Sequence, residues 1–392
     1  MGGLQQYIAS IPKTEIHLHV EACVGSESYR RLMDKYSVPQ DKKNLKLIDF
    51  TKIKSLQSML ESFWFVQSFF REPSDFDYVV NDVIAYAKRN NIYYVEAFAA
   101  PSMVLNRGDI SFDEMFDVLV SGFDTARKQD GVDVRLIVDV SRSFGPENAM
   151  KNLNLLLDYL KKRRTDTIVG IGLGGQESGN PCADYGEVFE KARGMGLHTV
   201  AHAGEEVGPE SVWEAIDILK AERIGHGTSA IQDPKLMDRL RDSRIPLEIC
   251  PTSNVITKKY VKRYSKHPIR DFYDHGMMVT VNTDDPELFQ IELNEEYAAC
   301  AAELKFTQAE INDGSVSYLH DGSAFSSDAF VFELDDGDAE PLGPYVFSIT
   351  VADQPIFSDG FESGDACLWS NQVGGPACEP LAAPPPHTSQ LF

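Results

Sequence analysis

The chain has 392 residues, of which 43% are hydrophobic and 25% charged, a composition typical of a globular protein with a large core. That length exceeds the usual size of a single core, so we expect one large domain with an appendage, or two domains. The formal net charge of −23 argues against a nucleic-acid-binding protein or a protein that binds anionic membranes, because both need a basic surface.

The six cysteines include no Cys-x-x-Cys pair, so the sequence predicts neither a disulfide framework nor a zinc ribbon. No apolar run reaches about 18 residues, the length that a transmembrane helix needs. The segment Met1 to Tyr7 has no charged part followed by an apolar part, so we expect no secretory signal. We therefore predict a cytoplasmic protein with no membrane and no nucleic acid among its partners; its oligomeric state stays open.

Short apolar runs rich in β-branched residues recur along residues 1–311, and longer helical stretches separate them. One of these stretches begins with the capping box Ser111 to Glu114. Eight runs have the length of a strand: Glu15–Val20, Tyr93–Ala99, Val134–Val140, Thr167–Leu173, His198–Ala203, Arg223–His226, Pro246–Cys250 and Met277–Asn282. Eight alternating strands and helices over about 300 residues predict an α/β protein with a TIM, or (β/α)8, barrel.

The composition changes abruptly after Lys305. No Lys or Arg follows this residue, whereas 14 Asp and Glu residues lie in the segment from Phe306 to Phe392. We therefore predict a boundary near Ile311, with the barrel over residues 1–311 and a short acidic appendage over residues 312–392. The appendage contains strand-like runs and a proline-rich end typical of disorder: Ser315–Leu319, Phe330–Leu334, Tyr345–Val351 and, at the end, Pro380–Phe392.

Polar residues cluster where the predicted strands end, which is where a (β/α)8 barrel carries its chemistry. Four strand ends carry them: His17-Leu18-His19-Val20-Glu21, His202-Ala203-Gly204-Glu205, Gly225-His226-Gly227 and Asn282-Thr283-Asp284-Asp285. Side chains at i and i+2 of a strand point to the same face, so the imidazoles of His17 and His19 can enter one barrel mouth.

Four of these residues would give a zinc ion three nitrogens and one oxygen: His17, His19, His202 and Asp284. Zinc lowers the pKa of a bound water toward neutrality and so makes a hydroxide nucleophile available. Such a reaction also needs a base and an acid, and His226 and Glu205 are the remaining candidates at the strand ends. We therefore predict a hydrolytic site with one zinc ion per chain.

Six sequence blocks resemble the adenosine deaminase family of metal-dependent amidohydrolase barrels, in order and in spacing, across about residues 8–305. The blocks are Pro12–His19, Gly172–Gly175, His202–Glu205, Arg223–Gly227, Cys250–Asn254 and Thr283–Pro286. The resemblance implies zinc-dependent hydrolytic deamination of a 6-aminopurine, in which hydroxide attacks C6 and ammonia leaves. Adenosine, which would give inosine, is the first substrate it suggests; adenine and aminodeoxyfutalosine are the alternatives.

The resemblance also implies a role for each site residue. It assigns the zinc to His17, His19, His202 and Asp284. Glu205 would give a proton to purine N1, while His226 would orient and help to deprotonate the zinc-bound water. Asp285 would hydrogen-bond N7, the Gly175 N–H would meet N3, and His19 would also lie against the substrate.

Glu21 is a departure from the family pattern. Adenosine-specific members commonly have Asp at this position, reaching the ribose 5′-hydroxyl, whereas members that act on adenine or aminodeoxyfutalosine often have Glu. We therefore predict that Glu21 contacts the group on N9 and takes no part in the chemistry at C6. The segment Phe63-Trp64-Phe65, with Phe69 and Phe70, is similar to the family's hydrophobic lid, but its helical spacing is equally typical of plain core.

Three other classes of protein are alternatives to a deaminase of 6-aminopurines. The zinc deaminases that act on cytidine carry an H-x-E and a P-C-x-x-C motif, and both are missing here. A catalytically silent barrel that acts as a binding protein would be expected to lack a ligand or the acid, yet all are present. A surface protein is suggested only by residues 312–351, which resemble a cadherin-like fragment of secreted bacterial proteins and so hint at an exported fusion.

Overall fold

A computed structural model describes residues 2–257, 259–307, 328–334 and 342–349. The chain divides into two compact units, Met1–Leu319 and His320–Phe392. Within the described ranges, no helix combines the length and the apolar character that crossing a membrane would require.

Eight parallel strands form one sheet in chain order. They are β1 Lys13–His19, β2 Ile92–Ala99, β3 Asp133–Asp139, β4 Ile168–Leu173, β5 His198–Ala203, β6 Arg223–His226, β7 Leu247–Ile249 and β8 Val279–Val281. Beyond β8, Asp284 pairs with β1: its carbonyl accepts the His19 N–H at 2.9 Å, and its N–H donates to the His17 carbonyl at 3.2 Å. This pairing brings the chain after β8 back to β1, so the predicted TIM barrel is confirmed.

All eight predicted strands are present, with ends that differ by a few residues. The largest differences are two residues, at the starts of β1 and β8. Strands buried on both faces read as nearly continuous apolar runs, and this pattern is what makes β3 and β4 easy to predict.

Fifteen α-helices lie within the described part of the first unit. They are α1 Gly2–Ser10, α2 Ser26–Lys35, α3 Lys42–Leu47, α4 Leu56–Gln67, α5 Phe76–Arg89, α6 Ser102–Arg107, α7 Phe112–Gln129, α8 Gly145–Arg163, α9 Gly186–Gly194, α10 Pro209–Asp217, α11 Pro234–Ser243, α12 Pro251–Thr257, α13 Ile269–Asp274, α14 Pro286–Phe289 and α15 Leu293–Glu303. The predicted capping box starts α7: Ser111 Oγ accepts the Glu114 N–H at 3.2 Å, and Glu114 Oε2 accepts the Ser111 N–H at 2.9 Å. The two bonds satisfy donors that a helix start otherwise leaves unpaired.

The interior of the barrel packs directly beneath its mouth. Phe98 of β2 lies against the rings of His17 and His19, with centroids 4.9 and 5.0 Å away. A Cβ on Gly172 of β4 would come within 2.6 Å of the Phe98 ring, and one on Gly225 of β6 within 2.7 Å of His17 Cε1. Glycine is therefore needed at both positions for the aromatic and imidazole rings to fit inside the barrel.

The second unit contains an antiparallel pair of strands, β9 Asp328–Leu334 and β10 Leu342–Ile349. Two of the runs predicted in the appendage, Phe330–Leu334 and Tyr345–Val351, overlap these strands. The run Ser315–Leu319, the proline-rich end and the boundary near Ile311 lie outside the described residues, and they stay predictions.

Candidate active site

The four predicted metal ligands meet at the C-terminal end of the barrel. His19 Nε2 lies 3.3 Å from both His202 Nε2 and Asp284 Oδ1, and His17 Nε2 lies 3.4 Å from the same carboxylate oxygen. One donor atom each from His17, His202, His226 and Asp284 fall within 4.8 Å of one another. The structure thus brings the predicted ligands together and places His226 as close to the cluster as a ligand.

This cluster fits a single metal ion. His17 Nε2 is buried and makes no hydrogen bond of ordinary geometry within the described residues, although an unpaired buried donor or acceptor costs roughly 1–3 kcal/mol. The nitrogens of His19 and His202 face each other with Asp284 alongside. Three imidazole nitrogens and one carboxylate oxygen are a donor set that catalytic metal sites use, and an ion among them would satisfy these atoms together.

A row of charged side chains, most of them buried, fixes the ring of His17 on the side away from the cluster. Its Nδ1 lies 2.7 Å from Glu248 Oε2 on β7, and Arg223 of β6 donates to Glu248 at 2.5 Å and to Glu96 at 2.6 Å. Burial alone would raise the pKa of Glu248, but Arg223 and His17 hold that pKa below its ordinary value. The bond at Nδ1 fixes the ring so that Nε2 points to the cluster, the usual function of a carboxylate behind a ligating histidine.

Asp284 adopts a backbone conformation that is rare for its residue type. Its φ of 70° lies in the left-handed region, as does the φ of 61° at His226. Asp284 Oδ2 also accepts a hydrogen bond of 2.7 Å from Ser253 Oγ at the start of α12. Burial would raise the pKa of Asp284, but His17 and His19 hold it well below its usual range. Left-handed residues of this kind concentrate at functional sites, where the surrounding structure enforces them.

His226 and Glu205 face each other across the mouth. His226 Nε2 lies 3.5 Å from Glu205 Oε2 and 3.9 Å from Asp284 Oδ2. The amide nitrogen of Asn254 lies 3.0 Å from His226 Nδ1, and its oxygen lies 3.2 Å from His267 Nε2. The contact at Nδ1 fixes the ring of His226 so that Nε2 points toward Glu205.

The same two groups have shifted pKa values. Burial lowers the pKa of His226 to about 3, with His17 and His19 acting in the same direction and Asp284 opposing it. Burial also raises the pKa of Glu205 well above its ordinary value, and the carboxylates of Asp284 and Glu177 add to the effect. A neutral imidazole therefore stands beside a carboxyl group that can carry a proton.

A cavity with about 690 Å³ of empty space, open mouth included, lies above these groups. Asp285 lines it, and burial together with Asp284 raises the pKa of Asp285 to about 8. Gly175 also lines it, with a φ of +90°, and a Cβ there would come within 2.5 Å of Ser143 Oγ. Glycine at this position leaves its backbone open to a ligand.

Glu21 lies one layer behind the cavity. It is fully buried in the 3-10 turn Val20–Cys23, and its Oε1 accepts the Ala100 N–H at 2.8 Å. Oε2 makes no hydrogen bond within the described residues. Burial raises the pKa of Glu21 to about 6. Its partner Ala100 lines the cavity and Glu21 itself does not, so the predicted contact with the group on N9 stays a prediction.

The aromatic segment around Phe63 divides between the cavity and the core. Phe63 and Trp64 of α4 line the cavity, whereas Phe69 and Phe70 are fully buried elsewhere in the core. The burial of Phe69 and Phe70 agrees with the core interpretation, whereas the lid formed by Phe63 and Trp64 stays a prediction.

Three polar residues at the end of β3 also face the cavity and were not among the predicted site residues. Asp139, Ser141 and Ser143 line the cavity, and Asp139 Oδ1 accepts the N–H of Ser141 at 2.9 Å and of Gly174 at 2.8 Å. The rule that identified the other strand ends applies here too, because Asp139 closes a predicted apolar strand. An acidic residue at the end of an apolar strand was therefore visible in the sequence, but no histidine lies beside it to indicate a metal site.

A (β/α)8 barrel with a histidine and aspartate cluster at its C-terminal mouth defines the class of metal-dependent hydrolase barrels. Within that class, the sequence profile of the adenosine deaminase family matches residues 12–328. The chain belongs to this family, which confirms the predicted family and the prediction of a hydrolytic deaminase.

Individual relatives support the same assignment. An aminodeoxyfutalosine deaminase from Streptomyces avermitilis is 36% identical over 304 residues, which are 76% of this chain and 82% of that protein. An adenosine deaminase from Shewanella loihica is 34% identical over 311 residues, 77% of this chain and 91% of its own. The crystal structure of an adenine deaminase from Arthrobacter aurescens superposes with a TM-score of 0.72 at 27% identity, covering 80% of this chain and 95% of that one.

Proposed function

We propose that this chain catalyses the zinc-dependent hydrolytic deamination of a 6-aminopurine nucleoside, with adenosine as its first substrate and inosine and ammonia as products. The observation that carries the proposal is the convergence of His17, His202, His226 and Asp284, with donor atoms within 4.8 Å of one another, beside Glu205. His17, His19, His202 and Asp284 would hold the zinc. When bound, zinc lowers the pKa of water and so supplies the nucleophile at neutral pH.

The side chains around the cavity supply the remaining chemistry. Glu205 gives a proton to purine N1, which draws electrons from C6 and opens that carbon to attack. His226, with Nε2 directed at the same space, orients the attacking water and takes part in its deprotonation. Proton transfer by positioned groups of this kind contributes roughly 10²–10⁴ in rate.

Two groups on the cavity wall orient the purine ring. The buried carboxyl of Asp285 hydrogen-bonds N7, and the exposed backbone N–H of Gly175 meets N3. Together with Glu205 at N1, they would contact three ring nitrogens, which leaves C6 facing the cluster of His17, His19, His202 and Asp284. Polar groups fixed in advance around a reacting centre are the main means by which enzymes stabilise developing charge.

The charge of the cavity supports an uncharged group on N9. The relatives named above are deaminases of aminodeoxyfutalosine, adenosine and adenine, which share the 6-aminopurine ring and differ at N9. Within the described residues, the acidic side chains that line the cavity are Asp139, Glu205, Asp284 and Asp285, and no Lys or Arg lines it. A substrate with a carboxylate in its N9 group would find no Lys or Arg on this wall to pair with, whereas adenosine and adenine need no such partner.

The test is ammonia release by the purified, zinc-loaded full chain on adenosine, adenine and aminodeoxyfutalosine, with metal content measured on the same sample. We expect one zinc per chain and the highest kcat/KM on adenosine. A higher kcat/KM on either alternative would overturn the substrate order and leave the reaction intact. A chain that holds one zinc and releases no ammonia from any of the three would be a catalytically silent barrel.

A further inference from the structure

Glu177, which follows β4 by four residues, binds the loop that carries Glu205. Its Oε1 accepts the Gly204 N–H at 2.6 Å. Its Oε2 accepts three further backbone N–H groups, from Glu205 at 3.1 Å, Glu206 at 2.6 Å and Val207 at 3.0 Å. Ser211 Oγ donates to Oε1 as well. One carboxylate thus gathers four consecutive amides and a hydroxyl.

Glu177 is buried, and the stability of its carboxylate depends on the N–H groups of the loop after β5. The residue is only 4% exposed, and none of the ion pairs within the described residues includes it. A buried carboxylate destabilises the fold unless its oxygens accept hydrogen bonds. Here most of those hydrogen bonds come from backbone N–H groups. Hydrogen bonds to a charged acceptor are also stronger than neutral ones, so the carboxylate and the loop conformation stabilise each other.

The carboxylate of Glu206, on the loop after β5, binds the backbone at Glu177 in turn. Glu206 Oε2 accepts the N–H of Glu177 at 2.9 Å and that of Ser178 at 3.3 Å. The loops after β4 and β5 are therefore joined by reciprocal bonds between side chain and backbone. Gly175, on the first loop, and Glu205, on the second, both line the cavity. The spacing between these two cavity groups thus depends on the pair of carboxylates.

We propose that Glu177 is a positioning residue that holds Glu205 in place for proton transfer. Glu177 does not itself line the cavity and acts through the backbone of Glu205. The side chain of Glu205 lies 3.5 Å from His226 Nε2. A displacement of about 1 Å at a reacting group can cost roughly 10²-fold in rate. This role rests on the proposed function, because it presumes that Glu205 is the proton donor.

The substitution Glu177→Gln tests the role with little change in size. The glutamine side chain has only one oxygen that can accept the N–H groups of the loop. Its NH2 group then faces the remaining N–H donors, which it cannot accept. We expect kcat on adenosine to fall about 10- to 100-fold, with KM changed less than about threefold and the zinc content retained. Ser211→Ala is the matched control, since it removes one bond to Oε1 and leaves the three N–H groups on Oε2; we expect its kcat within about threefold of wild type.

A double-mutant cycle separates positioning from general support of the fold. In a Glu205→Gln background there is no proton donor left to position, so Glu177→Gln should lower kcat there by less than about threefold. Should Glu177→Gln fail to fold, Glu177→Asp, which keeps the charge on a shorter side chain, takes its place in the same cycle. An equal loss in both backgrounds, or a loss of zinc that parallels the loss of kcat, would overturn the role. If wild type itself releases no ammonia, the proposed function fails instead.

Discussion

Glu205 and Asp284 are both largely buried carboxyl groups in one barrel mouth, and their surroundings shift their pKa values in opposite directions. His17 and His19 hold the pKa of Asp284 down against the effect of its burial, whereas burial and neighbouring carboxylates raise the pKa of Glu205. One is therefore suited to bind a cation and the other to carry a proton. Pairs of acids with pKa values driven apart are a general sign of divided roles in catalysis.

The role of Glu205 leads to a prediction about Glu205→Gln. The residue is not among the four ligands, so we expect the variant to keep its zinc and to lose roughly 10²–10⁴ in kcat, the usual contribution of one acid–base group. Steady-state kinetics and metal analysis on the same preparation check this. Wild-type kcat with full zinc would show that the proton comes from elsewhere.

Glu248 gives a second prediction at the scale of the residue. Removing its charge with Glu248→Gln loosens the ring of His17, so we expect metal affinity to fall roughly 10- to 100-fold in a competition with a chelator. Glu222→Gln is the control, because Glu222 also bonds a histidine, His198, at 2.7 Å, but both side chains are partly exposed. Equal affinities for the two variants would mean that Glu248 does not support the metal site.

At the scale of the element, helix α15 is fastened to the barrel mouth through Glu296. Its carboxyl accepts the Thr252 N–H at 2.9 Å at the start of α12, and the Tyr264 hydroxyl donates to it too. Burial raises the pKa of Glu296 from 4.5 to about 7. The contact thus joins α15 to the block that also supplies Ser253 and Asn254.

A raised carboxyl pKa fixes the sign of a pH effect on stability. The folded state holds the Glu296 proton more tightly than the unfolded state, so its contribution is full below pH 4.5 and declines as pH rises toward about 7. Glu296→Gln removes this titration. We expect the free energy of unfolding of the variant, relative to wild type, to rise by up to about 3 kcal/mol between pH 5 and 8. A difference that is flat with pH, in denaturant titrations, would contradict the assignment.

The sequence predicts some elements and site residues well for a physical reason. Strands buried on both faces leave continuous apolar runs, and the histidines that follow them stand out against that pattern. Glu177 and Glu248 were missed because their partners, at Gly204 and His17, lie on other strands or loops and leave no local signal. The position of Glu21 behind Ala100 depends on a turn that strand periodicity does not report.

At the scale of the whole molecule, every group of the proposed chemistry precedes the acidic appendage in the sequence. The last of those groups is Asp285, far before the predicted boundary near Ile311. We therefore expect a chain truncated after Ile311 to keep the zinc content and specific activity of its soluble fraction within a few-fold of the full chain. Loss of zinc on truncation would make residues 312–392 an integral part of the fold.

Limited proteolysis examines the same boundary without truncation. Trypsin has no site after Lys305, so the experiment needs a protease that cleaves after acidic residues. We expect the first cuts between Asn312 and Asp338, because this acidic segment lacks the amphipathic pattern that would pack it against a barrel. An appendage that resists cleavage as long as the barrel does would require the boundary to be withdrawn.

Zinc at the mouth of the barrel is central to the proposed function, and His202→Ala tests it most directly. His198 lies on the same strand, β5, away from the mouth, so His198→Ala is the matched control. Zinc content and ammonia release from adenosine are measured on both variants and on wild type. We predict one zinc per chain and normal activity for wild type and His198→Ala, and the loss of most zinc and most activity for His202→Ala. A His202→Ala protein that is fully active without metal would contradict the site.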